Sequence, residues 1–230
     1  MKTIGLIGGM SWESTQTYYR LINQRVSQQC GGFHSARVIV NSVDFAEIVA
    51  YQQAGDWPRA GVALAEAAGQ LQRAGCDLFA IATNTMHLVA DVVQAAVTIP
   101  LLHIAEPTGR ALHAQNHTCI ALLGTRFTME KMFYRDYLQQ HFDITSLIPD
   151  DAERDDIHRI IYQELCRGEI RDESRQRYIA IIAHLKQQGA TAVILGCTEI
   201  GLLIGEHDSD LPVVDTTQLH AHALADASLN

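Results

Sequence analysis

Leu195-Gly196-Cys197-Thr198-Glu199 puts a thiol, a hydroxyl and a carboxylate directly after an apolar run, 192–195, that reads as a buried strand. A thiolate is a competent base for a carbon-bound proton. The ordinary thiol pKa, about 8.5, can fall toward neutrality beside a helix N-terminus or a cation. The residues after Cys197 are expected to start such a helix, whose backbone N–H groups would also hold a carboxylate substrate. In an open α/β sheet ligands bind outside the carboxyl ends of the strands, so Cys197 stands where a working thiol would stand. Read alone it could equally be a packing cysteine, the reading that suits Cys30, Cys76, Cys119 and Cys166, which lack this context.

The same layout occurs upstream. Thr83-Asn84-Thr85 closes the apolar run 78–82, and Thr83 and Cys197 lie 114 positions apart, as do Gly75 and Gly189. Ile4 and Ile120 differ by 116, and Pro100-Leu101-Leu102-His103 and Pro212-Val213-Val214-Asp215 by 112. Four landmarks at nearly one offset read as a duplication of a β-α-β half-unit. Facing half-units would present Thr83 and Cys197 to one ligand from opposite sides of a shared cleft. Two proton-handling groups across a carbon can invert it, one removing a proton and the other returning one. Thr83 is far too weak an acid to serve unaided as a neutral-pH base, but it can donate or relay a proton to a carbanion already formed.

Stepwise alternation of strands and helices must position these groups. Apolar runs at 3–7, 36–43, 78–82 and 101–104 read as strands of the first half, and 118–123, 145–148, 192–195 and 212–215 as those of the second. Helical spacing runs through 15–29, 57–73, 86–96, 129–140, 155–166 and 175–188, with Ser11 or Ser14 capping the first. Residues 45–51 read as a short helix or loop with Gln52 near its end, and the charged run 150–155 as a solvated loop. The expected fold is α/β: two pseudosymmetric parallel-sheet half-units, flavodoxin-like or Rossmann-like, covered by helices on both faces. Their expected extents are 1–103 plus 214–230, and 104–213.

Composition narrows the function. A chain of 230 residues with formal charge −9 argues against tracking nucleic-acid phosphates. Five cysteines, an odd number without paired short spacing, suggest neither a disulfide framework nor zinc. His113-x-x-x-His117 and His220-x-His222 have metal-like spacings without a third ligand nearby, and no metal is expected. No apolar run reaches membrane-spanning length, no leader is evident, and a cytoplasmic location is expected. Gly5-x-x-Gly8-Gly9 misses the dinucleotide spacing, and no acid ends the second strand at Asn41-Ser42.

Gly5-x-x-Gly8-Gly9-Met10, Asn84-Thr85-x-His87, Leu123-Gly124-Thr125, Gly196-Cys197-Thr198-Glu199 and Val213-Val214-Asp215-Thr216-Thr217, taken in order, resemble the cofactor-independent aspartate/glutamate racemases, with greatest likeness to an enterobacterial amino-acid racemase branch. The resemblance spans essentially the whole chain. It implies an isomerase without pyridoxal phosphate or any other cofactor, often a homodimer, with a C-terminal helix packed back on the first half. It also implies substrate contacts from Met10, Gln52, Asn84, Thr85, Thr125, Thr198 and Glu199, with Cys197 taking the α-proton of an L-amino acid and Thr83 acting on the opposite face. Ser11 and His87 are supporting candidates, His87 as an orienter of Asn84 or of substrate. Two departures stand out. Family members carry cysteine where Thr83 stands, and aspartate-specific members often carry arginine where Tyr51-Gln52 lies. A glutamine offers no charge to a side-chain carboxylate, so the expected substrates are aspartate and glutamate or a broader set of polar amino acids. The competing readings are a single-thiol carbanion enzyme, such as a decarboxylase or cis–trans isomerase, and a non-catalytic amino-acid-binding protein.

Overall fold

The computed structural model describes residues 1–230. Its elements, in chain order, are β1 (Thr3–Gly8), α1 (Trp12–Cys30), β2 (Arg37–Ser42), α2 (Phe45–Ala54), α3 (Trp57–Arg73), β3 (Leu78–Ile81), a 3-10 turn (Thr85–Val89), α4 (Ala90–Ala95) and α5 (Ala105–Ala114). β4 (Cys119–Gly124), α6 (Arg126–Glu130), α7 (Met132–Phe142), β5 (Thr145–Leu147), α8 (Asp151–Gln163), α9 (Asp172–Gln187), β6 (Val193–Gly196), α10 (Ile200–Leu203), β7 (Val213–Asp215) and α11 (Thr216–Leu229) follow. The chain divides into two compact units, Met1–Ile104 with Thr217–Asn230, and Ala105–Thr216.

The first unit holds a parallel sheet in the order β2-β1-β3. Side chains on successive strand positions point to opposite faces, and the two faces are sealed by different helices. Ile4, Leu6, Leu78 and Ala80 pack with Tyr18, Ile22 and Val26 of α1 and with Ala221, Leu224 and Ala225 of α11. Ile7, Phe79 and Ile81 pack with Ile48 of α2 and Leu64, Ala68 and Leu71 of α3. Each large apolar side chain so buried contributes roughly 1.5–3 kcal/mol of transfer free energy. The Arg25–Asp226 pair, 2.9 Å apart, also ties α1 to α11; half exposed, it adds at most about 1 kcal/mol. The C-terminal helix therefore completes the first unit's core, as expected.

The second unit repeats the plan with the parallel order β5-β4-β6-β7. Ala121, Leu123, Val193 and Leu195 pack against Ile157, Ile160 and Ile161 of α8 and Tyr178, Ile181 and Leu185 of α9. The repeat extends to single hydrogen bonds. Phe79 N–H donates to the Pro100 carbonyl at 3.0 Å, and Val193 N–H donates to the Pro212 carbonyl at 2.9 Å.

Several local expectations need correction. The strand expected at 101–104 is a single bridge, Phe79–Leu101, because Ile104 N–H leaves the sheet and donates to the His87 side chain. Residues 214 and 215, expected in the first half, pair with β6 in the second, so the chain crosses back only after β7. The charged run 150–155 is not a loop. Asp150 caps α8 and shares a capping box with Glu153, which satisfies two backbone donors at the helix start. Helix α5 has no counterpart in the sequence reading, and the helix expected over 86–96 begins as a 3-10 turn.

The Gly-Gly-Met turn after β1 has a steric cause. Gly9 has φ +90°, and a Cβ there would lie 2.2 Å from the Val43 carbonyl oxygen, a backbone atom that cannot swing away. Gly9→Ala is expected to destabilise the protein by at least about 2 kcal/mol through left-handed strain and overpacking. Denaturant unfolding midpoints check this; a wild-type midpoint contradicts it.

Candidate active site

In the first unit the polar residues collect beyond the carboxyl ends of β1 and β3. The two ends are held together by Ala82 N–H donating to the Ile7 carbonyl at 2.9 Å. Met10 and Ser11 follow the glycine turn, and both are buried. Ser11 caps α1 by accepting from Ser14 N–H, while Thr15 Oγ1 accepts Gly9 N–H at 2.8 Å. Gln52 is buried in the last turns of α2 and donates to Met86 Sδ at 3.1 Å. Asn84 and Thr85 are buried at the start of the 3-10 turn, beside half-buried Thr83. The first unit thus brings together Met10, Ser11, Gln52, Thr83, Asn84, Thr85 and His87 at one end of its sheet.

The His87 ring engages the Thr83 peptide. Its Nδ1 lies 2.9 Å from the Thr83 carbonyl oxygen, and its Nε2 lies 3.2 Å from Ile104 N–H. A carbonyl only accepts and a backbone N–H only donates, so the ring is neutral with its proton on Nδ1. The same logic fixes His220: Nε2–H donates to the Leu102 carbonyl at 2.8 Å, and Nδ1 accepts Tyr18 O–H at 2.7 Å. These bonds give His220 a packing role, not a metal-binding one. Burial is the main reason both imidazoles resist protonation; His87 is held well below the usual histidine value, and His220 is lowered to about 3.

In the second unit β6 and β4 run so close at Gly196 and Gly124 that a Cβ on Gly124 would lie 3.0 Å from the Gly196 carbonyl oxygen. Thr125 follows β4, is buried, and caps α6 by accepting Thr128 N–H. Cys197 and Thr198, both half-buried, follow β6, and Glu199 is buried next to them. Cys197 Sγ–H donates to Glu199 Oε2 at 3.0 Å. The thiol pKa is not lowered, contrary to the sequence expectation. Burial raises it well above the ordinary value, and the negative charge of Glu199 adds to the shift. The helix expected to supply a dipole is only the four-residue α10.

Two tyrosines and a histidine went unnoticed in the sequence. Tyr162 and Tyr178 are raised by burial first and then by coupling to Cys197, with Cys166 contributing to both. The rings of His158 and Tyr162 lie 4.7 Å apart, and His158 Nδ1 accepts Arg126 N–H. The available signal was the i, i+4 spacing of His158 and Tyr162, which puts both on one face of α8. Asp150, Glu153 and His184 also come within 4.8 Å of one another, a cluster made by the α8 capping box and the His184–Glu153 contact at 3.1 Å.

A threonine and a thiol thus follow equivalent strands, β3 and β6, of two like parallel α/β units. The Asp/Glu/hydantoin racemase family model matches residues 7–224, and the chain belongs to this family. A Yersinia pestis protein assigned as an Asp/Glu racemase superposes with TM-score 0.94 at 50% identity over 100% of both chains. An aspartate racemase homologue from Pyrococcus horikoshii does so with TM-score 0.85 at 32% identity, again over 100% of both chains. The broad specificity amino-acid racemase RacX of Bacillus subtilis is 21% identical over 93% of this chain and 92% of its own. No helix is long and apolar enough to cross a membrane.

The two buried neutral imidazoles make stability depend on pH. Their folded pKa values lie below the unfolded value near 6.5, so the unfolded chain binds protons that the folded chain refuses. Stability should therefore fall as pH drops below about 6.5, by about 1.4 kcal/mol per unit for each ring that stays neutral. Between pH 6.5 and 5 few carboxylates titrate, so the urea midpoint reads mainly this effect. The midpoint should decline over that window, and less steeply in His220→Gln; a flat midpoint down to pH 5 would contradict the assignment.

Proposed function

We propose that the protein racemises amino acids without a cofactor, using Cys197 and Thr83 on opposite faces of one α-carbon. The observation that carries this reading is the thiol–carboxylate pair after β6, matched at the equivalent position after β3 by a threonine. In the resting pair the thiol holds the proton and Glu199 carries the charge. Transfer of that proton to Glu199 gives a thiolate, which breaks the Cα–H bond of an L-amino acid and forms S–H. The electron pair left on the α-carbon is stabilised by its carboxylate. Thr83 delivers a proton to the other face, directly or through a water, and regains one from solvent. Glu199 then releases its proton to solvent, so the product is the D-isomer and the protein returns to its resting state.

Gln52 supports a substrate range of aspartate, glutamate and other polar amino acids. It offers an amide where a charged clamp would select an acidic side chain, and a bidentate arginine contact is the stronger carboxylate holder. Asn84, Thr85, Thr125, Thr198 and Met10 would bind substrate beside it. Within this reading the enzyme is a cytoplasmic homodimer, a state that analytical ultracentrifugation checks.

Glu199→Gln removes the internal proton acceptor. Activity from L-substrate should then rise about tenfold per pH unit across neutrality, in step with free thiol ionisation, where the wild type stays nearly flat. A parallel profile in both proteins would show that Glu199 takes no proton. Cys197→Ser should abolish α-deuterium incorporation from a panel of L-amino acids in deuterated water, a loss of at least roughly a hundredfold. Thr83→Cys should raise the initial rate from the D-isomer, which in the wild type exchanges its α-proton more slowly than the L-isomer. Equal initial exchange rates from the two isomers would remove the asymmetry.

A further inference from the structure

We propose that His87 is a positioning residue for the Thr83 face of the reaction, its imidazole clamping the Thr83 peptide and so setting the direction of the threonine hydroxyl. The inference rests on the racemase reading above and adds a residue that acts through backbone alone.

The local geometry makes the ring necessary. In an α-helical turn the Thr83 carbonyl would accept from the backbone N–H of residue 87. Here that N–H donates to Asn84 at 3.0 Å, because the turn is 3-10. The carbonyl accepts from His87 Nδ1–H instead. Leaving this part-buried carbonyl without its donor costs up to about 1–3 kcal/mol, enough to reorient a peptide that immediately follows the strand. The far side of the ring is fixed too, since Nε2 accepts Ile104 N–H just beyond Leu101 and Leu102, which border β3. His103 packs edge-on against His87 with ring centroids 4.5 Å apart, and His220 does so at 5.9 Å. His220 is itself locked by Tyr18 and the Leu102 carbonyl. Thr83 is therefore held through a chain of defined tautomers that reaches α1 and α11.

The second unit lacks this device. Gly201 stands 114 positions after His87, the offset that separates Thr83 from Cys197. A Cβ on Gly201 would lie 3.2 Å from Asp215 Oδ2, and Asp215 is the repeat counterpart of His103. The facing pair is kept in both units, but only the first fills it with imidazoles. A thiolate is a large, polarisable base that tolerates some misplacement. A hydroxyl must meet its carbanion along a narrow approach, so rigid support matters more on the Thr83 side.

Following an L-amino acid substrate by NMR in deuterated water separates the two faces. Deuterium entering the L-isomer needs only the Cys197 side, whereas appearance of the D-isomer also needs Thr83. His87→Leu should cut D-isomer formation at least tenfold more than it cuts deuterium entry into the L-isomer, and His87→Asn, which keeps a donor near the Thr83 carbonyl, should recover part of the ratio. Equal loss of both rates would reduce His87 to a structural residue and overturn the proposal. Should His87→Leu fail to fold, nitrogen-15 shifts of the wild-type imidazole remain decisive: neutral Nδ1–H is expected, and neutral Nε2–H or a cation overturns the clamp. Absence of any exchange from the wild type with every amino acid would count against the racemase reading instead, leaving the tautomer result to stand or fall separately.

Discussion

A parallel sheet delivers every strand's last peptide to the same edge, where the ladder stops and backbone groups need other partners. β3 and β6 are only four residues long, so this edge is reached while the chain is still buried. The residues that follow must satisfy hydrogen bonds and remain open to a ligand. The chain meets that demand with short hydroxyl, amide and carboxylate side chains, and with tight turns in place of long helices. The chemistry of the molecule is concentrated where the fold leaves bonds to be made.

The two halves answer the demand with different residues. After β6, a thiol whose proton burial holds on sulfur donates a hydrogen bond to a neighbouring carboxylate. After β3, a hydroxyl too weak to ionise is flanked by an imidazole that cannot take a second proton without losing a bond. One side stores charge and the other supplies rigidity. Low local dielectric strengthens both arrangements and also makes them costly to disturb.

Much of this was legible before any coordinates. Nearly equal offsets between glycines, prolines and the Thr83/Cys197 pair exposed the repeat, and apolar runs bounded by turn residues located the strands. The family resemblance gathered the substrate-facing candidates. What stayed hidden was decided by side-chain partners. Cys197 looked like a thiol of lowered pKa, because sequence shows that a helix may follow but neither its four-residue length nor which way Glu199 points. His220 carried only a discounted metal-like spacing, and its bonds to Tyr18 and Leu102 show a packing role. The run 150–155 looked solvated because its many charges masked the Asp150/Glu153 spacing. The strand at 101–104 failed for a similar reason, since Ile104 N–H found a histidine in place of a ladder.

The return of α11 to the first unit bears on how the chain is made. The second unit is continuous in sequence, but the first draws on segments that flank it on both sides: Lys2 N–H donates to the Ser228 carbonyl at 2.8 Å, and Ala221, Leu224 and Ala225 seal one face of its sheet. During synthesis β1–β3 must wait, with that face uncovered, for α11 to leave the ribosome. The later-made portion has all of its strands beforehand. Vectorial translation thus lets the half that begins second be the first to close.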